Sequence, residues 1–421
     1  MAQRYDTYKD SGVQWLGEIP GHWGCIPFRR VAFVKSNLVH PTDYMDYPQI
    51  APDSIEKNSG RILHWKSVAE SNIESDNHLF FKGQILYSKI RPLLNKVTIA
   101  PFDGLCSADM YPIETNQETK FLQYYMLSSS FLEGATNATR DRVKMPKINK
   151  NELGSIELCI PPLSEQHSIV SYLDDKCGKI DKMLEGKQKQ IELLAEMKQR
   201  IIADAVTRGL NPDVKMKATN IPWLPEIPEH WEFTRNKTLL KLTDEKVGGR
   251  KDITLLSLTK QGVIIRDLSE GKGKFPKDFD SYLVVRPNNL VFCLFDIDET
   301  PRTVGLVKNY GMLTGAYTNF EVNESLVLPE YIYNYYLQVD NIKGLRPYYT
   351  GLRKVVKTGS FLQIRMPLPP LDEQHAIVSY ITDKTSKIDT LTLKLQQEIE
   401  SIKEYKQRLI SDVVTGQIKV C

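Results

Sequence analysis

The sequence of 421 residues lacks a long apolar run and lacks a clear excess of charge of either sign. No stretch approaches the roughly 18 consecutive apolar residues of a membrane-spanning helix, and the first residues do not form the apolar core of a signal peptide. These two absences predict a cytoplasmic protein with no membrane partner. The 55 Lys and Arg residues against 52 Asp and Glu residues leave a net charge of +3. That balance neither requires nor excludes binding to nucleic acid.

Cysteine is also scarce, and its spacing follows no known pattern. The six cysteines show no C-x-x-C spacing and are too few to staple a chain of this length. We therefore expect reduced, mostly structural thiols. The residues concerned are Cys25, Cys106, Cys159, Cys177, Cys293 and Cys421.

The motifs of cofactor-dependent catalysis are missing from the sequence. It contains no G-x-x-x-x-G-K-[ST] loop for ATP, no G-x-G-x-x-G, no H-E-x-x-H, and no Asn-Pro-Pro-aromatic motif for methylating a flipped base. Nor does it show a nuclease-like group of carboxylates. We predict a binding protein with no catalytic residue, no metal site and no cofactor of its own.

An internal repeat organises the chain. The segment Trp15–Trp23 (WLGEIPGHW) returns as Trp223–Trp231 (WLPEIPEHW), with seven of nine positions identical at an offset of 208 residues. The same offset aligns Pro161–Tyr172 (PPLSEQHSIVSY) with Pro369–Tyr380 (PPLDEQHAIVSY). The chain is therefore a tandem duplication. Four of the seven histidines lie in these repeated segments, which favours packing roles for them: His22, His167, His230 and His375.

The two copies diverge between the Trp motif and the Pro-Pro motif. Residues 24–155 and 232–363 share little identity. This is expected if the two copies dock in the same way but recognise different targets. The predicted domains are two variable domains and two spacer helices, with bounds 1–159, 160–210, 211–367 and 368–421.

Each Pro-Pro motif predicts the start of a long helix. Ser164 and Asp372 are the expected N-caps, and Glu165 and Glu373 place negative charge at the positive end of the helix dipole. Beyond them, apolar residues recur in alternating steps of four and three, which is the 3.5-residue spacing of a coiled-coil seam. The seam consists of Ile180, Leu184, Ile191, Leu194 and Ile201 in the first helix and Ile388, Leu395, Ile399, Ile402 and Leu409 in the second.

A single stripe of this kind is more typical of an amphipathic helix that packs on its own domain than of a coiled coil. Because the stripe occurs twice, over about 40 residues each time, we predict that the two helices pair. An antiparallel pair would bring the end of the chain near the first Trp motif. The predicted fold is α+β, with two α/β domains joined by two long antiparallel helices as a coiled-coil spacer in a pseudo-twofold tandem repeat.

Basic residues cluster at corresponding places in the two copies, shortly before each Pro-Pro motif. Such runs suit contacts with DNA phosphates, although each is also compatible with a solvated loop. The candidate DNA-binding residues are Arg140, Arg142, Lys144 and Lys147 in the first copy and Lys343, Arg346, Arg353, Lys354 and Lys357 in the second. Two glycine-rich basic segments, 248–251 and 271–274, are further candidates for loops that follow a groove.

With its two Trp motifs, its two Pro-Pro-Leu-x-Glu-Gln motifs and the helix after each, the chain resembles the specificity subunit of type I restriction-modification enzymes. The resemblance extends over essentially the full length; one departure is Pro225, where the first copy has Gly17. It implies that each variable segment is a target recognition domain for one half of a bipartite site in double-stranded DNA. It also implies that the helices set the gap and dock two methyltransferase subunits, and that the full complex contains restriction subunits that act as both motor and nuclease. S-adenosylmethionine and ATP would then be bound by those partner subunits.

Two other functions remain open. A helical scaffold that joins two protein-binding modules without touching DNA fits the nearly neutral charge. A self-sufficient DNA-modifying enzyme would need a cofactor site that the sequence does not show.

Overall fold

The computed structural model describes residues 4–142, 144–250, 252–266 and 279–420. The basic segment 271–274 and Lys251 lie outside these residues. No described helix is both long enough and apolar enough to span a bilayer. The chain divides into two compact units: unit 1 comprises 1–188 and 395–421, and unit 2 comprises 189–394. Since each long helix belongs partly to both units, the four-domain division stays a prediction.

The first half of the chain forms short strands, small helices and one long helix. The strands are β1 (Tyr8–Asp10), β2 (Glu18–Pro20), β3 (Gly24–Pro27), β4 (Ala32–Val34), β5 (Leu38–Val39), β6 (Pro48–Ile50), β7 (Lys66–Ser67), β8 (Asn77–Phe80), β9 (Ile85–Ser88), β10 (Val97–Ile99), β11 (Gly104–Cys106), β12 (Met110–Thr115) and β13 (Glu157–Ile160). The helices are α1 (Val68–Ser71), α2 (Thr119–Leu127), α3 (Ser129–Asn137), α4 (Lys150–Ser155) and α5 (Leu163–Arg208).

The second half repeats this succession of short strands before a long helix. The strands are β14 (Met216–Ile221), β15 (Leu224–Pro228), β16 (Glu232–Arg235), β17 (Leu240–Thr243), β18 (Leu256–Thr259), β19 (Gly262–Ile265), β20 (Leu283–Val285), β21 (Leu290–Phe292), β22 (Val304–Leu306), β23 (Gly311–Leu313), β24 (Thr318–Val322) and β25 (Arg365–Leu368). The helices are α6 (Asn236–Leu239), α7 (Pro329–Asn341), α8 (Thr358–Gln363) and α9 (Leu371–Val414).

Both long helices begin one residue before the predicted caps. The carbonyl of Pro162 accepts a hydrogen bond from Gln166 N at 3.1 Å, and that of Pro370 accepts one from Gln374 N at 3.0 Å. The second proline of each motif is therefore the N-cap, and the prediction of Ser164 and Asp372 as caps is wrong. Proline suits a helix start because the N–H that it lacks would have no partner inside the helix.

The two units contain the same central sheet despite their divergent sequences. In unit 1 the strands of the antiparallel sheet follow the order β10-β9-β12-β4, and in unit 2 the order is β22-β21-β24-β17. When the four strands of each sheet are ranked by their order along the chain, both sheets have the order third, second, fourth, first. A ladder of the entering and leaving strands accompanies each sheet, β3 with β13 and β16 with β25. The variable segments thus share a framework that sequence identity does not reveal.

The units differ in what is added to this framework. Unit 1 has a further five-stranded sheet in the order β5-β8-β11-β6-β7, built over a small apolar core that contains Ile50 and Phe80. Unit 2 instead has the strand pairs β18-β19 and β20-β23, which enclose a cluster around Leu256 and Val285. The divergence between the copies therefore lies in different additional strands on one common sheet.

Within each unit the two long helices run antiparallel. In unit 1 Lys406 Nζ lies 2.6 Å from Asp181 Oδ1, and in unit 2 Lys198 Nζ lies 2.6 Å from Asp389 Oδ1. All ten predicted seam residues are buried or half-buried, whereas most of their neighbours on the helices are exposed. This arrangement confirms the predicted fold class.

The ends of the helices leave the seam and enter the cores of the units. Leu173 and Val413 pack in the same core as Trp23 in unit 1, and Val206 and Ile377 pack with Trp231 in unit 2. The end of the chain also meets the first Trp-motif region, because Gln417 Nε2 donates to Glu18 O at 2.7 Å. The predicted proximity of the two is therefore present within unit 1.

Two cysteines form a disulfide that the sequence pattern does not suggest. Cys25 in β3 lies directly opposite Cys159 in β13, with their Cα atoms 4.0 Å apart. The expectation of reduced thiols is therefore wrong for this pair, because antiparallel pairing joins residues that are 134 positions apart. Cys106, Cys177 and Cys293 are buried free thiols, and Cys421 lies outside the described residues.

Candidate nucleic-acid interface

The Trp motifs are anchored to the first turns of the long helices. In unit 1, Glu165 accepts hydrogen bonds from His22 Nε2 at 2.8 Å and Trp23 Nε1 at 3.2 Å. Burial alone would raise the pKa of Glu165, but hydrogen bonds from Tyr5, His22 and Trp23 outweigh it and lower the pKa. In unit 2, Glu373 accepts from His230 at 2.7 Å and from the Trp231 indole at 3.0 Å.

The glutamine after each of these glutamates ties the helix to the variable domain. Gln166 is fully buried; its amide donates to Pro161 O at 2.9 Å, and its Oε1 accepts from Glu118 N at 3.0 Å, just before α2. Gln374 makes the matching bonds, to Pro369 O at 2.9 Å and from Leu328 N at 2.8 Å, just before α7. The repeated Glu-Gln pair therefore fixes each variable domain on its helix.

The predicted basic residues lie in equivalent loops. We name them basic loop 1 (138–149, between α3 and α4) and basic loop 2 (342–357, between α7 and α8). Each pairs with the loop that follows the second strand of the shared sheet, the β9 loop (89–96) or the β21 loop (293–303). The bond from Arg91 N to Pro146 O, 2.8 Å, corresponds to that from Asp296 N to Arg353 O, 2.9 Å.

Basic loop 1 contains both free and paired cations. Arg140 and Lys144 are exposed and form no ion pair with any residue that the structure describes. Arg142 forms an ion pair with Glu152, and Lys147 Nζ lies 3.1 Å from Asp109. Unpaired, exposed cations are the ones best able to neutralise a phosphate.

In basic loop 2, three predicted cations are paired with acids of the β21 loop. Arg346 Nε lies 3.1 Å from Asp298, Arg353 Nη2 lies 2.6 Å from Asp296, and Lys354 Nζ lies 2.8 Å from Glu299. The hydrogen bond from Arg346 is the main cause of the lowered pKa of Asp298. The sequence analysis found a basic run without acids because these carboxylates are about 50 residues away along the chain.

The other two predicted residues of basic loop 2, Lys343 and Lys357, are in contrasting environments. The half-buried Lys343 ammonium lies 2.9 Å from Asp340 Oδ1 and donates to the carbonyls of Ile297 and Thr300 at 3.0 and 3.2 Å. All three of its N–H donors are thus used inside the fold. Lys357 is exposed and has no ion-pair partner among the described residues.

The sequence analysis missed a cation of the β9 loop, Lys89. Its ammonium lies 5.0 Å from the centre of the Tyr111 ring, and burial followed by the nearby charge of Lys147 lowers its pKa. Close by, His78 is buried, with an Nδ1 that has no hydrogen-bond partner among the described residues. Only the equivalence of the β9 and β21 loops in the folded chain points to Lys89.

The corresponding loops therefore carry opposite charge: Lys89 and Arg91 in unit 1, and Asp296, Asp298 and Glu299 in unit 2. Within the part of the chain that the structure describes, no group of His, Cys, Asp or Glu residues is arranged to hold a metal ion. The arrangement is thus that of two similar frameworks whose β9 and β21 loops differ in charge, and in unit 2 the acids of that loop are paired with cations of basic loop 2.

Comparison with known proteins agrees with this geometry. The family model of the type I restriction modification DNA specificity domain matches residues 29–193 and 298–401, together more than half of the chain. The type I restriction enzyme EcoDI specificity subunit of Escherichia coli is 39% identical over 206 residues, which is 47% of this chain and 46% of that protein. That alignment therefore spans about half the length of the relative.

Two further comparisons cover more of the chain. The type I restriction enzyme MjaVIII specificity subunit of Methanocaldococcus jannaschii is 25% identical over 349 residues, 75% of each protein. A solved chain from a study of complex assembly and conformational transition of the type I restriction-modification system has a TM-score of 0.69 at 15% identity. It covers 95% of this chain and 99% of its own length, which shows a common fold. The chain therefore belongs to the type I restriction-modification DNA specificity family.

Proposed function

We propose that the chain is the DNA sequence-specificity subunit of a type I restriction-modification enzyme, and that each unit reads one half of a bipartite, asymmetric target. The observation that carries this proposal is that two sheets of the same strand order present equivalent loops, the β9 and β21 loops, that differ in charge. Two copies of one framework dock on DNA in the same way, whereas different side chains at the surface select different bases.

The spacer fits a target with an unread gap between its halves. Helix α5 has 46 residues and α9 has 44, so α5 is about 69 Å long at a rise of 1.5 Å per residue. One turn of DNA is about 34–36 Å long, so each helix is longer than one helical turn of the duplex. In this proposal their length sets the number of base pairs that are not read.

Exposed apolar residues on the helices support docking of two methyltransferase subunits. Met183 and Leu391 are equivalent at the repeat offset and are 53% and 46% exposed. Met197 and Tyr405 are also equivalent and exposed. Leu391 borders an open surface pocket of about 270 Å³, lined further by Ser386, Lys387, Thr390 and Lys394. Repeated apolar side chains on solvated helices are typical of protein contacts, and two equivalent sets suit two copies of one partner.

The division of chemistry follows from the missing cofactor motifs. The chain itself is non-catalytic in this proposal and binds no cofactor. The methyltransferase subunits bind S-adenosylmethionine, and the restriction subunits, which are also the motor of the full complex, bind ATP.

Exchange of one variable segment tests the proposal. Residues 232–363 are replaced by the corresponding segment of another family member, and the methylated sites are mapped in cells that express the chain with its partners. We expect one half of the target to change and the other half and its spacing to stay the same. The matched control replaces residues 24–155 and should change only the other half. A change in both halves, or in neither, would contradict modular recognition.

A salt titration separates this function from a scaffold that does not contact DNA. The chain in complex with its methyltransferase is bound to target and to scrambled duplexes over a range of ionic strength. We expect weaker binding as salt rises, because phosphate contacts release counterions, and a preference for the target throughout. A scaffold would show no sequence preference at any salt concentration.

A further inference from the structure

Apart from Ile342, which directly follows α7 and is 44% exposed, the described residues of each basic loop include one large apolar side chain that is exposed to solvent. In basic loop 1 this residue is Met145, which is 62% exposed, and in basic loop 2 it is Leu352, which is fully exposed at 102%. Single exposed apolar residues are common on protein surfaces and need no explanation. These two differ from scattered residues because they occupy the same structural position in both units.

The equivalence of the two positions follows from the backbone. Met145 directly precedes Pro146, whose carbonyl accepts from Arg91 N, and Leu352 directly precedes Arg353, whose carbonyl accepts from Asp296 N. The two donor residues also share an unusual left-handed conformation, with φ of 50° and 47°. The apolar residues therefore correspond, although the loop sequences have little in common.

Both side chains are held on ordered backbone. Leu352 lies in a hairpin tip closed by reciprocal hydrogen bonds between Thr350 and Val355, at 2.9 and 3.0 Å, and Gly351 provides the left-handed residue with φ of 70°. Met145 itself has a φ of 48°, a conformation that bulky residues rarely adopt. Arg142 secures the same loop through Lys147 O and Glu152. The fold thus fixes an apolar tip where it gains no burial.

Both tips have cations beside them in the sequence. Lys144, which precedes Met145, has no ion-pair partner among the described residues, whereas Arg353 and Lys354, which follow Leu352, are paired with Asp296 and Glu299. A protein partner would be expected to meet a broader apolar patch than one side chain. An isolated apolar tip beside cations matches the wedges that enter duplex DNA between base pairs.

We propose that Met145 and Leu352 are apolar wedges that each enter the duplex and partly unstack one base step of the half-site bound by their unit. The proposal rests on the proposed function in sequence-specific DNA binding. Unstacking has an energetic cost that depends on the step, so each wedge adds selectivity at a position where it forms no hydrogen bond with a base.

Missing-base scanning tests the wedge. The chain with its methyltransferase partner is bound to its target and to targets that lack one base at successive positions. For Leu352→Ala we expect about tenfold weaker binding to the intact target, as for the loss of a buried leucine contact. Removing the base at the wedge step abolishes the cost of unstacking, which only the original protein has to meet. Binding of the original protein should therefore tighten there and that of the variant should not, so that the deficit of the variant grows at that position alone.

Three comparisons make the result specific. Met145→Ala should shift the scan in the other half-site only, and Leu326→Ala, at another exposed leucine of unit 2, should leave affinity unchanged. Leu352→Lys should lower affinity, whereas a side chain beside the phosphates would gain affinity from the added charge. All variants are checked for an unchanged unfolding midpoint.

The outcomes separate the two proposals. If the original protein prefers its target and Leu352→Ala binds equally well, or loses affinity equally at all positions of the scan, the wedge is wrong and the proposed function stands. If the original protein shows no target preference, both proposals fail.

Discussion

Lys406 of α9 and Asp181 of α5 form an ion pair in which Nζ lies 2.6 and 2.8 Å from the two carboxylate oxygens. The same pair recurs with its partners exchanged, since Lys198 of α5 meets Asp389 of α9. Each lysine lies between two seam residues in the same alternating steps of four and three, and the aspartates directly follow the seam residues Ile180 and Ile388. The seam thus contains a polar pair at the same place in each unit, which favours one register of the helices.

We expect Asp181→Asn to lower the free energy of unfolding by about 1 kcal/mol, because the Lys406 side chain is only 15% exposed and its ammonium loses its partner. Asp175→Asn, in an exposed pair with Lys179 on the same helix, should lower the free energy of unfolding less than Asp181→Asn does. Urea unfolding of both variants checks this. Equal midpoints for the two would contradict a role for the seam pair.

The Glu165 carboxylate should make stability depend on pH. Because folding lowers its pKa, the stabilisation is complete above the ordinary value of 4.5 and is lost as the pH falls through the folded pKa. We expect Glu165→Gln to cost about 1–2 kcal/mol at pH 7, since one partner of a buried charged network changes. The difference should shrink below pH 4.5.

Urea unfolding of the two proteins at several pH values measures the effect. Glu185→Gln, at an exposed position of the same helix, is the control and should show no such dependence. A constant difference between the original protein and Glu165→Gln from pH 7 to pH 3.5 would show that the charge of Glu165 is not involved.

Asp340 should be essential for the stability of unit 2. Its side chain is 2% exposed and accepts from Thr303 N at 3.0 Å, beside Arg302 at 3.3 Å and Lys343 at 2.9 Å. Asp340→Ala leaves two cations without their buried partner, so we expect a loss of about 3–5 kcal/mol. The control Asp244→Ala removes an exposed pair and should cost under about 1 kcal/mol. Similar thermal midpoints for the two would be inconsistent with this role.

Salt dependence should distinguish the cations of the basic loops. Lys144→Ala and Lys357→Ala remove exposed, unpaired charges, so each should lower affinity for target and scrambled DNA alike. The slope of log K against log salt should fall by about 0.9 per lost phosphate contact. Lys182→Ala, on the exposed face of α5, is the control and should leave the slope unchanged. An unchanged slope in the loop variants would exclude these phosphate contacts.

The repeated apolar residues on the helices should determine how many methyltransferase subunits bind. We expect Met183→Glu and Leu391→Glu each to remove one subunit, because a charge replaces an apolar contact. Leu393→Glu is a matched control: Leu393 is 56% exposed on the same helix, but its counterpart in the first copy is already Glu185. Native mass spectrometry of the complexes gives the stoichiometry. Retention of two subunits by all three variants would place the docking surface elsewhere.

The duplication, the long helices and their seam could be predicted from the sequence because they depend on local spacing. The partners of the basic residues could not. Arg346 meets Asp298 because the β21 loop returns beside basic loop 2, and this follows from the strand order of the sheet. For the same reason the sequence did not show that the Lys343 ammonium is bonded inside the fold, that Lys89 lies near Lys147 of basic loop 1, or that Cys25 faces Cys159.

The ladders of β3 with β13 and of β16 with β25 have a genetic consequence. In each, the strand that begins a variable segment is hydrogen-bonded to the strand that ends it, as in the pairing of Gly24 with Ile160 and of Glu232 with Leu368. Recombination between two related genes at these strands would therefore replace a whole recognition segment while both crossover points remain adjacent in space. The two boundaries of the segment would join the helices in the same way before and after the recombination. A new DNA specificity could therefore arise in one step without loss of the shared assembly.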